Sequence, residues 1–541
     1  MGGGSAKNMK ARAGVLVALA LFALVLRAVP ILWGTAYIDD ALFGFHPDEP
    51  KLVRFADRFP ESITSNTDYR YPLFAHSVLG VVWQLALLVH PLEPDALPVP
   101  GEPRFEAATV FARGVYVLLF GGASMWLLAR LAALLGIVSA LPWILAAFSM
   151  QPFVVANTAL AQTDLPMAVM LLGLIVRCVH VEVRERYRAG VEPAILGALL
   201  GATVAAKYTG LIGGLPVLVA VLIGSQKRRG GPTLIARELL VVGLGASAAF
   251  LAFVPGAVLD WTSFSASLAY EFTSKTQLST FDAGRFASSL TTTLPVWGIL
   301  LAAAGLALCP SARRNRVIQS SLVMFAIYLV VVRRALAPDW VMPLMPLVTV
   351  FWGVALNRIA GSWSTRGMAA AVILVVAGWT LSVRAVVGRY TQDTRYRCAA
   401  WIEANVESPG PIGEAPSPTA RRSFASVRLP SGYEATDVFS RPQWIVMCER
   451  DYSPVQRVHE NPRAFERFGV VFDPEAMVLS ALGPVEIGFY RDILAASDEI
   501  NWTAPQGHIP LYSYSLAKVF DPSGLPLDMD GVEIRVYRRN E

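Results

Sequence analysis

Apolar stretches of roughly membrane-span length recur through the first 390 positions of this chain and then stop. Runs of about 20 apolar residues suit a helix that crosses a bilayer. The pattern predicts spans at 12–34, 109–134, 137–160, 165–181, 193–206, 209–224, 237–257, 287–309, 316–334, 340–358 and 367–388. The first is read as a retained helix rather than a signal peptide, because it continues through Arg27 to Trp33 and many spans follow. The region 193–224 is short for two spans and carries "AAKYTGLIGG", which predicts two half-length helices meeting at Lys207. Such a bend must be buried in protein or face a cavity. A further apolar stretch, 72–90 ("PLFAHSVLGVVWQLALLVH"), is ambiguous by hydropathy alone.

Charge resolves it. Lys7, Lys10 and Arg12 put the N-terminus inside. If 72–90 does not cross, the loops 181–192, 225–236, 310–315 and the turn from Arg358 to Arg366 fall inside, and all are rich in Arg or Lys. The loops 35–108, 161–164, 258–286 and 335–339 then fall outside, the first with Glu93, Asp95, Glu102 and Glu106. Were 72–90 to cross, every later basic loop would face outward. It is therefore read as a helix lying on the outer surface, amphipathic through His76 and Gln84. The fold class is a polytopic α-helical membrane protein of about eleven spans with outer surface helices.

The tail differs from the rest. Residues 389–541 carry charge, Pro and Gly throughout and are long enough for a domain with its own core. "DTRYRCAAWIEANVE" reads as a helix, and "RPQWIVMCE" and "GVEIRVYRR" read as strands. The expected organisation is a membrane domain, 1–388, and a soluble α/β domain, 389–541, on the outer side. No internal repeat is evident.

Composition fits this picture: 54% of the 541 residues are hydrophobic and 16% charged. The net charge of +5 is loop charge that orients the chain, and no basic stretch interleaved with aromatics suggests a nucleic-acid surface. Cys178 and Cys309 lie in apolar runs as packing residues, whereas Cys398 and Cys448 fall in the tail, where a disulfide would be permitted.

The candidate chemistry gathers at the outer face. "FGFHPDEP" places His46, Asp48 and Glu49 where the chain leaves the first span. A carboxylate there can act as general base toward an attacking hydroxyl, and Pro47 holds His46 extended. It can equally cap the helix "EPKLVRFADRF", and the two roles are compatible. Asp164, in "NTALAQTDLPMAVM", is a second acid for the same cavity or the start of a helix. Arg70, Lys207, Arg333 and Arg334 lie outside against the positive-inside bias. Each alone could be a snorkelling side chain, but together they suit an anionic lipid headgroup. A base and a set of cations fit attack by an alcohol on a sugar carried by a lipid phosphate. The chain has no G-x-G-x-x-G, Walker, H-E-x-x-H or G-x-S-x-G motif.

These segments, in this order and spacing, resemble the GT-C fold glycosyltransferases. The nearest groups are the protein O-mannosyltransferases and the bacterial lipid A aminoarabinose transferases, which use polyprenyl-phosphate sugars. "HPDEPKLVRFAD" resembles their Asp-Glu motif, "YRYPLF" their surface-helix opening, "ALAQTDLPMAVMLLG" their second-acid segment and "AAKYTGLI" their Lys-containing kink. "WVMPLMPLVTVFWG" resembles a late Pro-rich span, and "DTRYRCAAWIEANV" the entry to an outer soluble domain. The resemblance implies Asp48 as base, with Glu49 beside it, and Asp164 as second acid. It implies Arg70 and Lys207, with Arg333 or Arg334, on the donor phosphate; His46, Tyr69 and Tyr208 are candidates for the substrate pocket. It also implies an inverting reaction, a polyprenyl-phosphate-linked sugar as donor, a lipid, glycan or protein acceptor, and a bacterial inner or plasma membrane. No cofactor is required, although Asp48 and Glu49 could hold a divalent cation. The chain departs from the lipid A enzymes in having Arg where they prefer Lys before the Pro, in one span fewer and in its tail. A lipid or glycan transporter or flippase, or a non-catalytic envelope-assembly protein, is the alternative. Transporters place acids at mid-membrane and show paired halves, and neither is apparent here.

Overall fold

A computed structural model describes residues 3–32, 49–66, 69–91, 103–184, 187–277, 286–287, 290–291, 293–332, 338–361, 365–391, 403–404, 410–414, 434–437, 444–448, 497–502 and 534–539. It is mostly helical. Among the described residues seven helices are long and apolar enough to cross a bilayer: Ala13–Leu32, Arg104–Leu134, Asp164–Val183, Tyr208–Lys227, Pro232–Phe253, Trp340–Ala360 and Thr365–Val387. The other four expected spans do not form single helices of span length among the described residues. Val191–Ala206 and Arg316–Val332 fall just short of span length. Region 137–160 breaks at Ser149–Gln151, with Pro152 starting a separate short helix, Pro152–Asn157. Pro295, extended at φ −61° and ψ 154°, breaks 287–309 between helical residues that reach Thr293 and helix Val296–Ala307. In both places proline interrupts a run that hydropathy alone joins.

Helix Asp164–Val183 is apolar nearly all round and is buried along most of its length, as expected of a central helix. Pro232–Phe253 lies at the periphery, with Leu240 and Leu244 more than 60% exposed, a surface suited to lipid. Its inner face packs on helix Val191–Ala206 through Gly197 and Gly201. A Cβ on these residues would stand 2.3 Å from the Val242 carbonyl oxygen and 2.1 Å from that of Ala246. Small residues four apart let two backbones touch in a membrane. Gly201→Val is therefore expected to force the helices apart and lower stability by about 1–3 kcal/mol, read as a reduced melting midpoint in detergent. A substituted protein that melts like the parent would contradict this packing.

The ambiguous stretch 72–90 forms helix Phe74–Val89, 16 residues and too short to span. Its polar residues face inward, opposite to the expected arrangement. His76 is buried, and Gln84 donates to the carbonyls of Ala56 and Asp57 at the end of helix Glu49–Asp57. Val81, Leu85, Leu88 and Val89 are exposed instead. Gln84 thus satisfies carbonyls at a helix end, and the apolar face is left for lipid. Trp83 Nε1 and Arg104 both bind the Asp57 carboxylate, tying helices Glu49–Asp57, Phe74–Val89 and Pro103–Val115 together.

Side-chain contacts sort the loops into two ends. At one, Glu182 accepts from the N–H groups of Arg316 and Val317, capping helix Arg316–Val332. Lys227 donates to the carbonyls of Val181 and Arg184. Tyr187 and Ser225 hold the buried carboxylate of Glu238, and Arg177 pairs with Glu192. These are the loops expected inside. Those expected outside meet at the opposite end, which holds the candidate site.

In the tail the strands β1 (Pro411–Glu414), β2 (Glu434–Asp437), β3 (Trp444–Cys448), β4 (Ser497–Trp502) and β5 (Ile534–Arg539) form one sheet in the order β2-β1-β3-β5-β4. β1 runs parallel to β2 and β3, and β5 runs antiparallel to β3 and β4. The two segments expected as strands are β3 and β5. Cys398 and most of the expected helix around it lie outside the described residues. Cys178 and Cys309 are buried free thiols.

Candidate functional site

Segments from five parts of the chain converge at one end of the bundle. The first is the start of helix Glu49–Asp57. Glu49 is fully buried, and Arg113 grips it with both faces of its guanidinium: Nε to Oε1 at 2.8 Å and Nη2 to Oε2 at 2.7 Å. The Ala161 N–H adds a third bond to Oε1 at 3.1 Å, and Arg113 Nη1 donates to the Ile31 carbonyl at 2.9 Å. One carboxylate thus joins the end of the first span, the first outer loop and the 161–164 turn. A bidentate buried pair fixes geometry tightly, and it is strongly destabilised if one partner is lost.

The second acid follows three residues after Ala161. Asp164 opens helix Asp164–Val183 but does not cap it: Thr163 holds the cap position, and Asp164 reaches Lys207 at 2.5 Å. Lys207 is extended, φ −160° and ψ 135°, between helix Val191–Ala206 and the 3₁₀ turn Tyr208–Gly213. It is 8% exposed, so the bend is buried in protein as its position in a bilayer requires. Gly210 permits the bend, since a Cβ there would lie 2.5 Å from the Thr203 carbonyl oxygen. Trp340 lies 5.2 Å from Lys207 Nζ, within cation–π range.

Tyr69 and Tyr208 bring the first outer loop onto this bend. The Tyr208 hydroxyl donates to the Tyr69 carbonyl at 2.6 Å, and the Tyr69 N–H donates to Ser267 Oγ at 3.2 Å. Tyr69 is buried against Gly256, where a Cβ would stand 2.0 Å from the phenol oxygen. Burial first, and then the Asp260 carboxylate, raises the Tyr69 phenol above its usual range, so it stays a protonated donor. Asp260 itself caps helix Trp261–Gln277 by accepting from the Ser263 N–H. Arg70 is partly exposed beside Tyr69, and Lys51 lies 5.0 Å from the Tyr71 ring.

Of the residues expected from sequence, the structure brings Glu49, Asp164, Lys207, Tyr69, Tyr208 and Arg70 to this end. His46, Asp48, Arg333 and Arg334 lie outside the described residues. Arg113, Lys51 and Trp340 were missed. An arginine inside the apolar run 109–134 was the available signal for Arg113, because intramembrane charge wants a partner. Both Glu49 oxygens accept from Arg113, and Asp48, the other residue expected to hold a divalent cation, lies outside the described residues. Among the described residues no group of three His, Cys, Asp or Glu side chains could hold a metal.

No family model and no curated protein matches the chain. Among solved structures it is similar to the Archaeoglobus fulgidus oligosaccharyltransferase in the apo form, at 12% identity and TM-score 0.44, over 74% of this chain and 62% of that one. The chain thus spans about three fifths of that relative's length. It is also similar to ArnT from Cupriavidus metallidurans bound to undecaprenyl phosphate, at 15% identity and TM-score 0.45, over 83% of this chain and 95% of that one. A third similarity is to the archaeal oligosaccharyltransferase AglB from Archaeoglobus fulgidus in complex with an inhibitory peptide and a dolichol-phosphate. It has 10% identity and TM-score 0.48, over 97% of this chain and 88% of that one.

Proposed function

We propose that this chain is an integral-membrane glycosyltransferase of GT-C type. It moves a hexosyl or pentosyl group from a polyprenyl-phosphate carrier to an acceptor hydroxyl on the extracytoplasmic side, with inversion. The observation that supports this reading best is the meeting of two acid–base pairs, Glu49–Arg113 and Asp164–Lys207, at one end of an apolar bundle. The basic loops gather at the other end, which is assigned to the cytosol by the positive-inside rule. The membrane domain is 1–388, and the tail, 389–541, lies on the acceptor side.

In this reading Asp48 takes the proton of the acceptor hydroxyl. The acceptor oxygen attacks the anomeric carbon, and the bond from that carbon to the phosphate oxygen breaks. The leaving polyprenyl phosphate keeps the electron pair and is stabilised by Lys207 and Arg70, with Arg333 or Arg334. Glu49, next to Asp48 in the sequence, is locked by Arg113 at the start of its helix. Asp164 orients Lys207, and Trp340 flanks it. No metal is given a role in the step.

The test separates the charge of Lys207 from its packing. Lys207→Met alone strands the buried Asp164 carboxylate, so a fall in activity would be ambiguous. The double substitution Lys207→Met with Asp164→Leu removes both charges and is expected to recover the melting midpoint. Turnover of a labelled polyprenyl-phosphate sugar should remain down by about 10²–10³-fold. Recovery of turnover along with stability would contradict a phosphate-binding role for Lys207.

A further inference from the structure

Below the two acid pairs lies a buried cation that the proposed reaction does not use. Arg27, near the end of the first span, is 0% exposed. Its guanidinium donates to the carbonyls of Ala23 at 3.1 Å and Phe148 at 2.6 Å and lies 3.7 Å over the Phe148 ring. Its Nε–H has no partner. No carboxylate among the described residues lies within ion-pair distance of it, in contrast to Arg113 and Lys207. Carbonyl dipoles and a ring face offset only part of the cost of burying a full charge.

Arg27 lines a small buried cavity with Phe148, Ser124, Gln151, Thr158 and Met342. The void is about 20 Å³, on a scale where one water needs about 10–15 Å³. It admits one atom-sized guest and is too small for a phosphate with its four oxygens. The hydroxyls of Ser124 and Thr158 donate to the carbonyls of Phe120 and Val154. On this lining Arg27 Nε–H is a buried donor with no partner, and Gln151, which donates to Thr349, keeps a second amide proton. Leu165, which also lines the void, directly follows Asp164, so the cavity sits against the candidate site. The lining also includes Gly121, the last residue of the π-helical turn Tyr116–Gly121, where a Cβ would stand 3.9 Å from Arg27 Cδ, and such turns often mark functional positions in helices.

We propose that this cavity binds a single monatomic anion of the halide class, which supplies the counter-charge that Arg27 lacks. The anion accepts from Arg27 Nε–H and the Gln151 amide and locks the first span to helices Leu141–Phe148 and Asp164–Val183.

The full-length protein in detergent tests this directly. Replacing sodium gluconate by sodium chloride or bromide at fixed ionic strength is expected to raise the melting midpoint saturably, by roughly 2 °C or more. Ser124→Val, which fills the void and leaves Arg27 in place, should fold and lose that response. Arg27→Gln should lose it too, and where Arg27→Gln fails to fold, Ser124→Val decides. Anomalous scattering from a bromide form should show a peak within hydrogen-bond distance of Arg27 Nε. Equal midpoints in halide and gluconate, an undiminished response in Ser124→Val, or a water with no bromide at Nε would each overturn the proposal.

Discussion

Arg113→Leu is expected to destabilise this protein by about 3–5 kcal/mol, among the largest effects any single substitution here should have. The reason is desolvation. Glu49 and Arg113 are both fully buried, and their mutual forks replace the water each would otherwise bind. Removing Arg113 takes away both charged donors and leaves the carboxylate, among the described residues, with the Ala161 N–H in a site closed to solvent. Glu49→Leu should cost a similar amount by stranding the guanidinium. The double substitution should recover most of the loss, because two apolar side chains of similar volume need no partners. Melting midpoints of the four proteins in one detergent measure this as a double-mutant cycle. Additive losses would mean that the two side chains do not depend on each other. If Glu49 also fixes the catalytic loop, the stable double variant should still turn over slowly.

The second large effect is at Asp48. Asp48→Asn should lower turnover by about 10²–10⁴-fold while donor binding stays within a few-fold. This substitution separates the two readings of the "HPDE" segment. Helix Glu49–Asp57 begins at the next residue, so position 48 is where a cap would stand. Asn caps a helix as well as Asp does, but it cannot accept a proton. A role limited to capping therefore survives Asp48→Asn, and a role as base does not. Single-turnover rates with saturating labelled donor, alongside donor affinity, distinguish the outcomes.

The sequence reading succeeded where local pattern carries the information. "AAKYTGLI" placed Lys207 at a break between two apolar runs, and it does sit at a buried break, but the helices that meet there, Val191–Ala206 and Tyr208–Lys227, are longer than the half-length pair expected. The charge bias of the loops divided them into two sets, and contacts such as Glu182 to Arg316 and Asp164 to Lys207 join members of the same set. It failed where a partner is remote. Nothing near Glu49 announces Arg113, 64 residues away, and nothing near Lys207 announces Trp340. It also reversed the faces of helix Phe74–Val89. An amphipathic surface helix turns its polar side to water, whereas Gln84 faces the carbonyl ends of a neighbouring helix. The expected spans 137–160 and 287–309 were drawn too long because hydropathy averaged over a run does not register the breaks at Pro152 and Pro295.

The account stands on bond transfer from a lipid carrier. The most direct measurement supplies purified protein, reconstituted in liposomes, with a polyprenyl-phosphate sugar labelled in the sugar and an acceptor-containing envelope extract. The expected result is release of free polyprenyl phosphate in step with labelled acceptor, without added nucleotide sugar and with loss of both in Asp48→Asn. Movement of the intact labelled lipid across the bilayer with no cleavage, or transfer that requires a water-soluble nucleotide sugar, would contradict it.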